Sequence, residues 1–327
     1  GADAHNNVTG SAVANAIDSA IYSSAAVNIN AANTSTINAK VAAVALAVSV
    51  GDPAIGVAIG AAVSRNDIGT SSSRYSLSAY LQDSSVDTSG ALTVSSINTM
   101  TIDAGVGAGA MALASSTGAG ISGAGSGVST VNNINADISA VVIATSSAKS
   151  ILAGSLDIYA EDTSKITAVG VGASIAGSYA ASDPSVALAI GVSLSENNID
   201  NNLSASLNNI LLGSSTARTA AVTVKAKSDV TIKATSVAAS LAVALGSSGL
   251  SLSLSGAGAD AHNNLTGTTS ASVIDSVIYS SAAVKVKAEN DSTINATVAA
   301  VALAVSVGDP AIGVAIGAAI SRNDIGA

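Results

Sequence analysis

The sequence predicts an all-β chain wound as a parallel β-helix (a β-solenoid), and three observations predict it. Large and small residues alternate with period two through Val41–Val63, placing branched side chains on one face and Ala, Gly and Ser on the other. That block returns almost letter for letter at 298–320, and an Asn-(Asn/Asp)-aliphatic signature recurs every 60 to 66 residues. No stretch sustains the 3.6-residue period of an amphipathic helix.

Within the block, Val44, Leu46, Val48 and Val50 point one way, while Ala45, Ala47 and Ser49 point the other. After Gly51-Asp52-Pro53 the alternation resumes, with Ile55, Val57, Ile59 and Val63 against Gly56, Ala58, Gly60 and Ala62. Two strands joined by a tight turn satisfy this pattern, and the small face invites a second layer to pack close to it. Asp52-Pro53 divides the apolar run into halves of about ten residues, short of the roughly 20 that a membrane-spanning helix needs.

Composition bounds the architecture. Of 327 residues 48% are hydrophobic, yet only 2% are aromatic, with no Phe and no Trp, so the core must be thin and built from Val, Ile, Leu and Ala. The absence of Cys excludes disulfides, thiolate metal sites and a cysteine nucleophile. A net charge of −9 with only 12 basic residues argues against nucleic acid as a partner. The exterior must be largely Ser, Thr, Asn, Gly and Ala, because charged residues make up 10%. The chain shows no initiator Met, no signal-peptide pattern and no spanning helix. Because it opens and closes at corresponding points of a larger repeat, the expectation is an excerpt from a longer tandem array.

Self-comparison organises the chain as one continuous array over 1–327. Residues 1–70 recur at 258–327 with a constant offset of 257, a superunit within which a shorter period repeats. The Asn signature begins at Asn6, Asn66, Asn132, Asn197, Asn263 and Asn323, so units start near 6, 66, 132, 197 and 263. A short strand opens at Val27, Leu92, Leu156, Val222 and Val284. Ten residues after each comes Ile37, Ile102, Ile166, Ile232 or Ile294, and two further on Ala39, Ala104, Ala168, Ala234 or Ala296. Fixed offsets in every copy require a corner of fixed length. Length variation falls mostly after the Asn signature, at Thr70–Arg74 and Ser214–Arg218, which predicts exposed loops there.

Pro53, Pro184 and Pro310 each follow Asp in the turn slot, where proline fixes φ and ends ladder pairing. Past Pro184, Val186, Leu188, Ile190, Val192 and Leu194 alternate with small residues, and Leu250, Leu252 and Leu254 alternate with Ser251, Ser253 and Ser255. A unit of about 64 residues has too little core to stand alone and must stack on its neighbours. The expectation is about three coils of some 20 residues per unit, with Val, Ile and Leu stacked inside. Small residues and Asn would sit at left-handed corners, the recurrent Asn forming a side-chain ladder. The alternative is a row of antiparallel β-sandwich modules with Gly-Asp-Pro as a hairpin turn; the fixed corner offsets favour the β-helix.

The blocks GVAIGAAVSRNDI, VALAIGVSLSENNI and AVTVKAKSDVTIKATSVAASLAVAL resemble repeats of giant secreted bacterial surface adhesins, the filamentous-haemagglutinin-like exoproteins. The resemblance covers essentially the whole chain through low-complexity motifs. It implies a right-handed β-helix stalk exported to the bacterial cell surface.

Candidate chemistry is sparse. His5 and His262 occupy one slot in two copies and read as surface corner residues without a cluster of metal-binding partners. Lys225 and Lys227, with Lys285 and Lys287 one unit later, form an outward basic face that suits acidic polysaccharide or simply solvates the array. Asp52, Asp183 and Asp309 read as Asp-Pro turns rather than calcium ligands, since the glycine-rich nonapeptide of calcium-binding β-rolls is absent. Sequons occur at Asn7, Asn33, Asn202, Asn264, Asn290 and Asn295. No acid–base or nucleophile constellation recommends an enzyme, a cofactor or a metal.

The sequence thus points to a non-catalytic structural rod or stalk of an extracellular adhesin or fibre, whose partners are its own neighbouring repeats. The alternative is a glycan- or surface-binding module that meets a cell-surface receptor through loops or its Ser/Thr/Asn face. A flat, charge-poor Ala/Gly/Ser face adds the expectation of lateral self-association.

Overall fold

A computed structural model describes residues 1–326 and shows four parallel sheets whose strands stack coil upon coil. The third coil shows the plan. A 24-residue strand, Gly120–Ile143, leads through Lys149–Leu152 and Ser155–Asp162 to a 16-residue strand, Lys165–Ala180, after which Asp183-Pro184 turns the chain into the next coil at Ser185. Each strand pairs in parallel with its equivalent in the coils before and after: Ile102 with Ile37 and Ile166, and Asn132 with Asn66 and Asn197.

This pairing corrects the expected coil size. Partners lie 60 to 66 residues apart, so each unit is a single coil rather than three. The reason lies in strand length. A coil of some 20 residues allows segments of only about five residues, whereas the alternation runs unbroken for 15 residues in both Thr36–Val50 and Ala54–Ile68.

The cross-section has two parts. In the body, the second half of the 24-residue strand, the two short strands and the start of the 16-residue strand enclose Leu77, Val86, Leu92, Ile102, Ile138, Leu156 and Ile166, all nearly inaccessible. The isoleucine column Ile37, Ile102, Ile166, Ile232 and Ile294 stacks here in register. The rest forms a flange, where the remaining halves of the two long strands pack face to face, joined by the Pro53, Pro184 and Pro310 turns. The turn is therefore an arch between two sheets and not a hairpin within one.

The flange interior is lined by Ala58, Ala110, Ala112, Ala124, Ala176, Ala187 and Ala189. Its layers approach closely: a Cβ on Gly56 would stand 2.8 Å from the Leu113 carbonyl oxygen, and one on Gly191 2.5 Å from that of Ala239. The inner face thus requires small residues, and the alternation then places Val, Leu and Ile outside. Two expectations are corrected together. In the flange most of the aliphatic residues lie outside, with Val41, Val106 and Val128 inside only where it joins the body, and the Ala/Gly/Ser face is consumed between layers and unavailable for lateral contact.

The left-handed corners also lie elsewhere than expected. The Asn signature is mid-strand, whereas positive φ among the non-glycine residues occurs at Asp18, Asp83, Asn209 and Asp275, one column between body strands. Small residues supply it at other corners, as expected, with Gly69 and Gly213 leading into the two insertions. Asp83 shows how that corner is held: its carboxylate accepts bonds from the Thr145 N–H at 2.8 Å and hydroxyl at 2.7 Å, one coil on. Asp and Asn serve here because their side chains bond locally and tolerate this conformation.

Candidate functional site

Three features stand out: an internal polar ladder, a polar outer groove and the aliphatic flange faces. The ladder is made of the signature asparagines. Asn6 Nδ2 donates to Asn66 Oδ1 at 2.8 Å, Asn66 to Asn132 at 2.8 Å, Asn132 to Asn197 at 2.7 Å, Asn197 to Asn263 at 2.8 Å and Asn263 to Asn323 at 2.8 Å. The four central amides are fully buried. They sit where the aliphatic body meets the small-residue flange, and each primary amide carries both donor and acceptor to pass the bond along.

A second buried ladder crosses the opposite corner and contains a carboxyl group, that of Asp162. Asn33 Nδ2 donates to Asn98 Oδ1 at 3.0 Å, and Asn98 Nδ2 donates to Asp162 Oδ1 at 2.8 Å. Asp162 Oδ2 accepts from Asn201 Nδ2 at 2.7 Å, and Ser164 donates through both its N–H and its hydroxyl. Burial pushes the Asp162 carboxyl above the usual carboxylate range, opposed by these hydrogen bonds. The sequence reading missed this group because a single Asp in an Asn slot carries no local signal.

On the outer face, one residue past the first ladder, Asn198 Nδ2 donates to Asn133 Oδ1 at 2.8 Å and Asn133 Nδ2 to Asp67 Oδ1 at 2.7 Å. Arg65 Nε donates to Asp67 Oδ2 at 3.0 Å. With Thr70, Ser71, Asn135, Asp200, Asn264 and Thr266 these residues line an open groove of about 410 Å³. The Thr70–Arg74 insertion forms its rim, with residues 71–73 exposed as expected. Arg74 ends the insertion as a clamp across coils: its guanidinium donates to Asp137 Oδ1 and Asp200 Oδ2, both at 2.7 Å, and to the carbonyl oxygens of Ala136 and Asp200. The other insertion behaves similarly, with Arg218 Nη1 donating to Ser280 O at 3.4 Å. Amides, hydroxyls and ion pairs of this kind suit a hydroxyl-rich ligand; they do not assemble a nucleophile with a base.

The remaining candidates find ordinary surroundings. His5 lies 3.5 Å from Asp67 and His262 3.1 Å from Asp324, each on an outer strand face rather than at a corner. Asp52 and Asp183 approach one another across Gly118, where a Cβ would meet both carboxylates. The lysine face is largely paired: Lys225 Nζ is 2.8 Å from Glu289 and 5.9 Å from the centre of the Tyr159 ring, and Lys227 is 3.5 Å from Asp229. Lys225 and Lys287 hold the Glu289 carboxyl down at about 2. Among the sequons Asn33 is buried in a ladder, whereas Asn7, Asn290 and Asn295 are exposed.

Fold and ladders together define a class, a β-solenoid repeat protein with a two-layered flange. In comparisons with protein-family models, curated proteins and solved structures, nothing matches the chain. No helix among the described residues is long and apolar enough to cross a membrane.

Proposed function

We propose that the chain is a non-catalytic structural segment of an extracellular bacterial adhesin or surface fibre. The observation that carries this reading is the in-register stacking of every coil on the next, with an asparagine ladder running through all six signature positions. A coil of about 64 residues advances the stack by only about 4.8 Å, one strand spacing, and its longest strand has a contour of about 80 Å. The segment is therefore broad for its length, and it builds wide lateral faces more readily than reach.

Solution scattering on this chain and on one extended by a further 257 residues tests the reading. Adding four coils should lengthen the particle by about 19 Å at constant cross-section. Independent beads on a flexible string would overturn it.

The polar groove supports a second reading, recognition of a glycan or another hydroxyl-rich surface ligand. Glycan-array binding that disappears on deleting Thr70–Arg74, with the fold intact by circular dichroism, would establish it.

A further inference from the structure

The strongest unexplained feature is the outer face of the flange sheet formed by Ala54–Ile68, Gly120–Ile143, Ser185–Asn208, Ser251–Thr266 and Ala311–Ile325. Leu188 and Ile190, with strands on both sides, remain 39% and 45% exposed, so their exposure is no edge effect. We propose that this face docks on the same face of a second copy of the chain, about a two-fold axis running parallel to the strands. The proposal rests on the reading of the chain as a stacked array.

Charge favours this occupant. Through 41–63, 105–130, 169–195, 235–259 and 297–320 the charged residues are Asp52, Asp183 and Asp309, all at the tip turns. A chain of net charge −9 thus concentrates its charge on the body, and two copies can approach flange to flange without bringing like charges together. Area agrees as well. With the axis set between the second and third strands, four strands overlap over nine residues, about 30 Å by 19 Å, or about 570 Å² per copy and about 1,100 Å² in all, above the roughly 1,000 Å² that a specific interface should clear. Each added coil enlarges it.

Relief selects a second copy over any other apolar partner. One column across the five strands reads Ile59, Gly125, Ile190, Gly256 and Ile316. In this column ridges recur every second strand, about 9.6 Å apart, with a trough between, whereas the next column toward the tip, Val57, Gly123, Leu188, Leu254 and Val314, keeps only the Gly123 trough. The glycines have no internal reason to be glycine. A Cβ on Gly256 would meet nothing within 4 Å, and one on Gly125 would only touch Ile59, at 4.0 Å; neither residue has positive φ. A two-fold axis between the Gly120 and Ser185 strands sets Ile190 of each copy over Gly125 of the other, because those two residues are register partners. The same rotation sets Ile59 over Gly256. A partner must carry ridges of the same period to fill these troughs, and this chain carries them.

Sedimentation equilibrium on the 327-residue chain tests the proposal. Wild type should dimerise, and filling the troughs with Gly125→Ile and Gly256→Ile should weaken the dimer at least about tenfold, although it adds apolar surface. Gly109→Ile, on the opposite flange face, should leave the dimer unchanged. A monomeric wild type would overturn the proposal. So would filled variants that associate equally or more tightly, or that show retained binding to phosphatidylcholine vesicles, since non-specific apolar contact responds in that way. Ile190→Lys should give a folded monomer, and scattering from it tests the stacked array independently of docking.

Discussion

Asn66 donates its Nδ2 to Asn132 Oδ1 at 2.8 Å across 66 residues of sequence, and neither side chain is accessible to water. Asn132 in turn donates to Asn197. Replacing Asn132 by Ala removes an acceptor and a donor together and leaves two buried amide groups short of a partner. At about 1–3 kcal/mol for each such group, the cost should be about 2–6 kcal/mol in a urea titration. Asn6, half-exposed at the end of the ladder, should cost less than half as much. Equal losses at both positions would show that burial adds nothing to the ladder.

Glycines of opposite orientation should respond oppositely to one added methyl. Gly60 faces the flange interior, where a Cβ would land on the Gly109 carbonyl oxygen, so Gly60→Ala forces two backbones apart and should destabilise by about 1–3 kcal/mol. Gly127 faces outward with nothing within 4 Å, and Gly127→Ala should be neutral or stabilising by up to about 1 kcal/mol through lower unfolded-state entropy. Thermal melts of the two variants check the pair. Equal effects would mean that the layers are not in contact at Gly60.

Much of this was legible in the sequence, and the exceptions have physical causes. Period-two alternation showed strands, and fixed offsets from Val27 to Ile37 and its equivalents located the columns that stack. What alternation does not encode is which face is inside. Val44 and Ala45 have equal claims on a core until a second layer is placed, and close packing in the flange selected Ala. Coil size was misjudged because corners, not strands, set the expected turn. The groove was half visible: the Thr70–Arg74 insertion marked its rim, while the partners of Arg74 lie 63 and 126 residues away. The Asp162 site was invisible, since Asn201 reaches it from another sheet.

Arg74 ties its own strand to the two coils that follow. Its fork meets two carboxylates and two carbonyls at once, a geometry that a lysine ammonium cannot reproduce. The guanidinium is only 18% exposed, but Asp137 and Asp200 are more open, so solvent screening limits the gain. Arg74→Ala should cost about 1–2 kcal/mol, with Arg74→Lys recovering less than half of it. Hydrogen exchange should localise the loss to amides near Asp137 and Asp200. Full recovery by Lys would show that charge alone, without the fork, does the clamping.

Asp162 gives stability a pH dependence of unusual sign. Burial raises its folded pKa above the unfolded value, so the folded state holds the proton more tightly. Its contribution is therefore fully present below the unfolded pKa and is lost as pH rises through the raised folded value. Asn33 and Asn98 occupy the equivalent slot in earlier coils, which shows that a neutral amide fits the ladder. Asp162→Asn should accordingly raise stability at neutral pH by on the order of 1 kcal/mol and flatten this part of the pH profile. Urea midpoints for both proteins between pH 4 and 8 provide the measurement. A destabilised variant with an unchanged pH slope would show that the ladder holds Asp162 as a carboxylate and that its hydrogen bonds outweigh its burial.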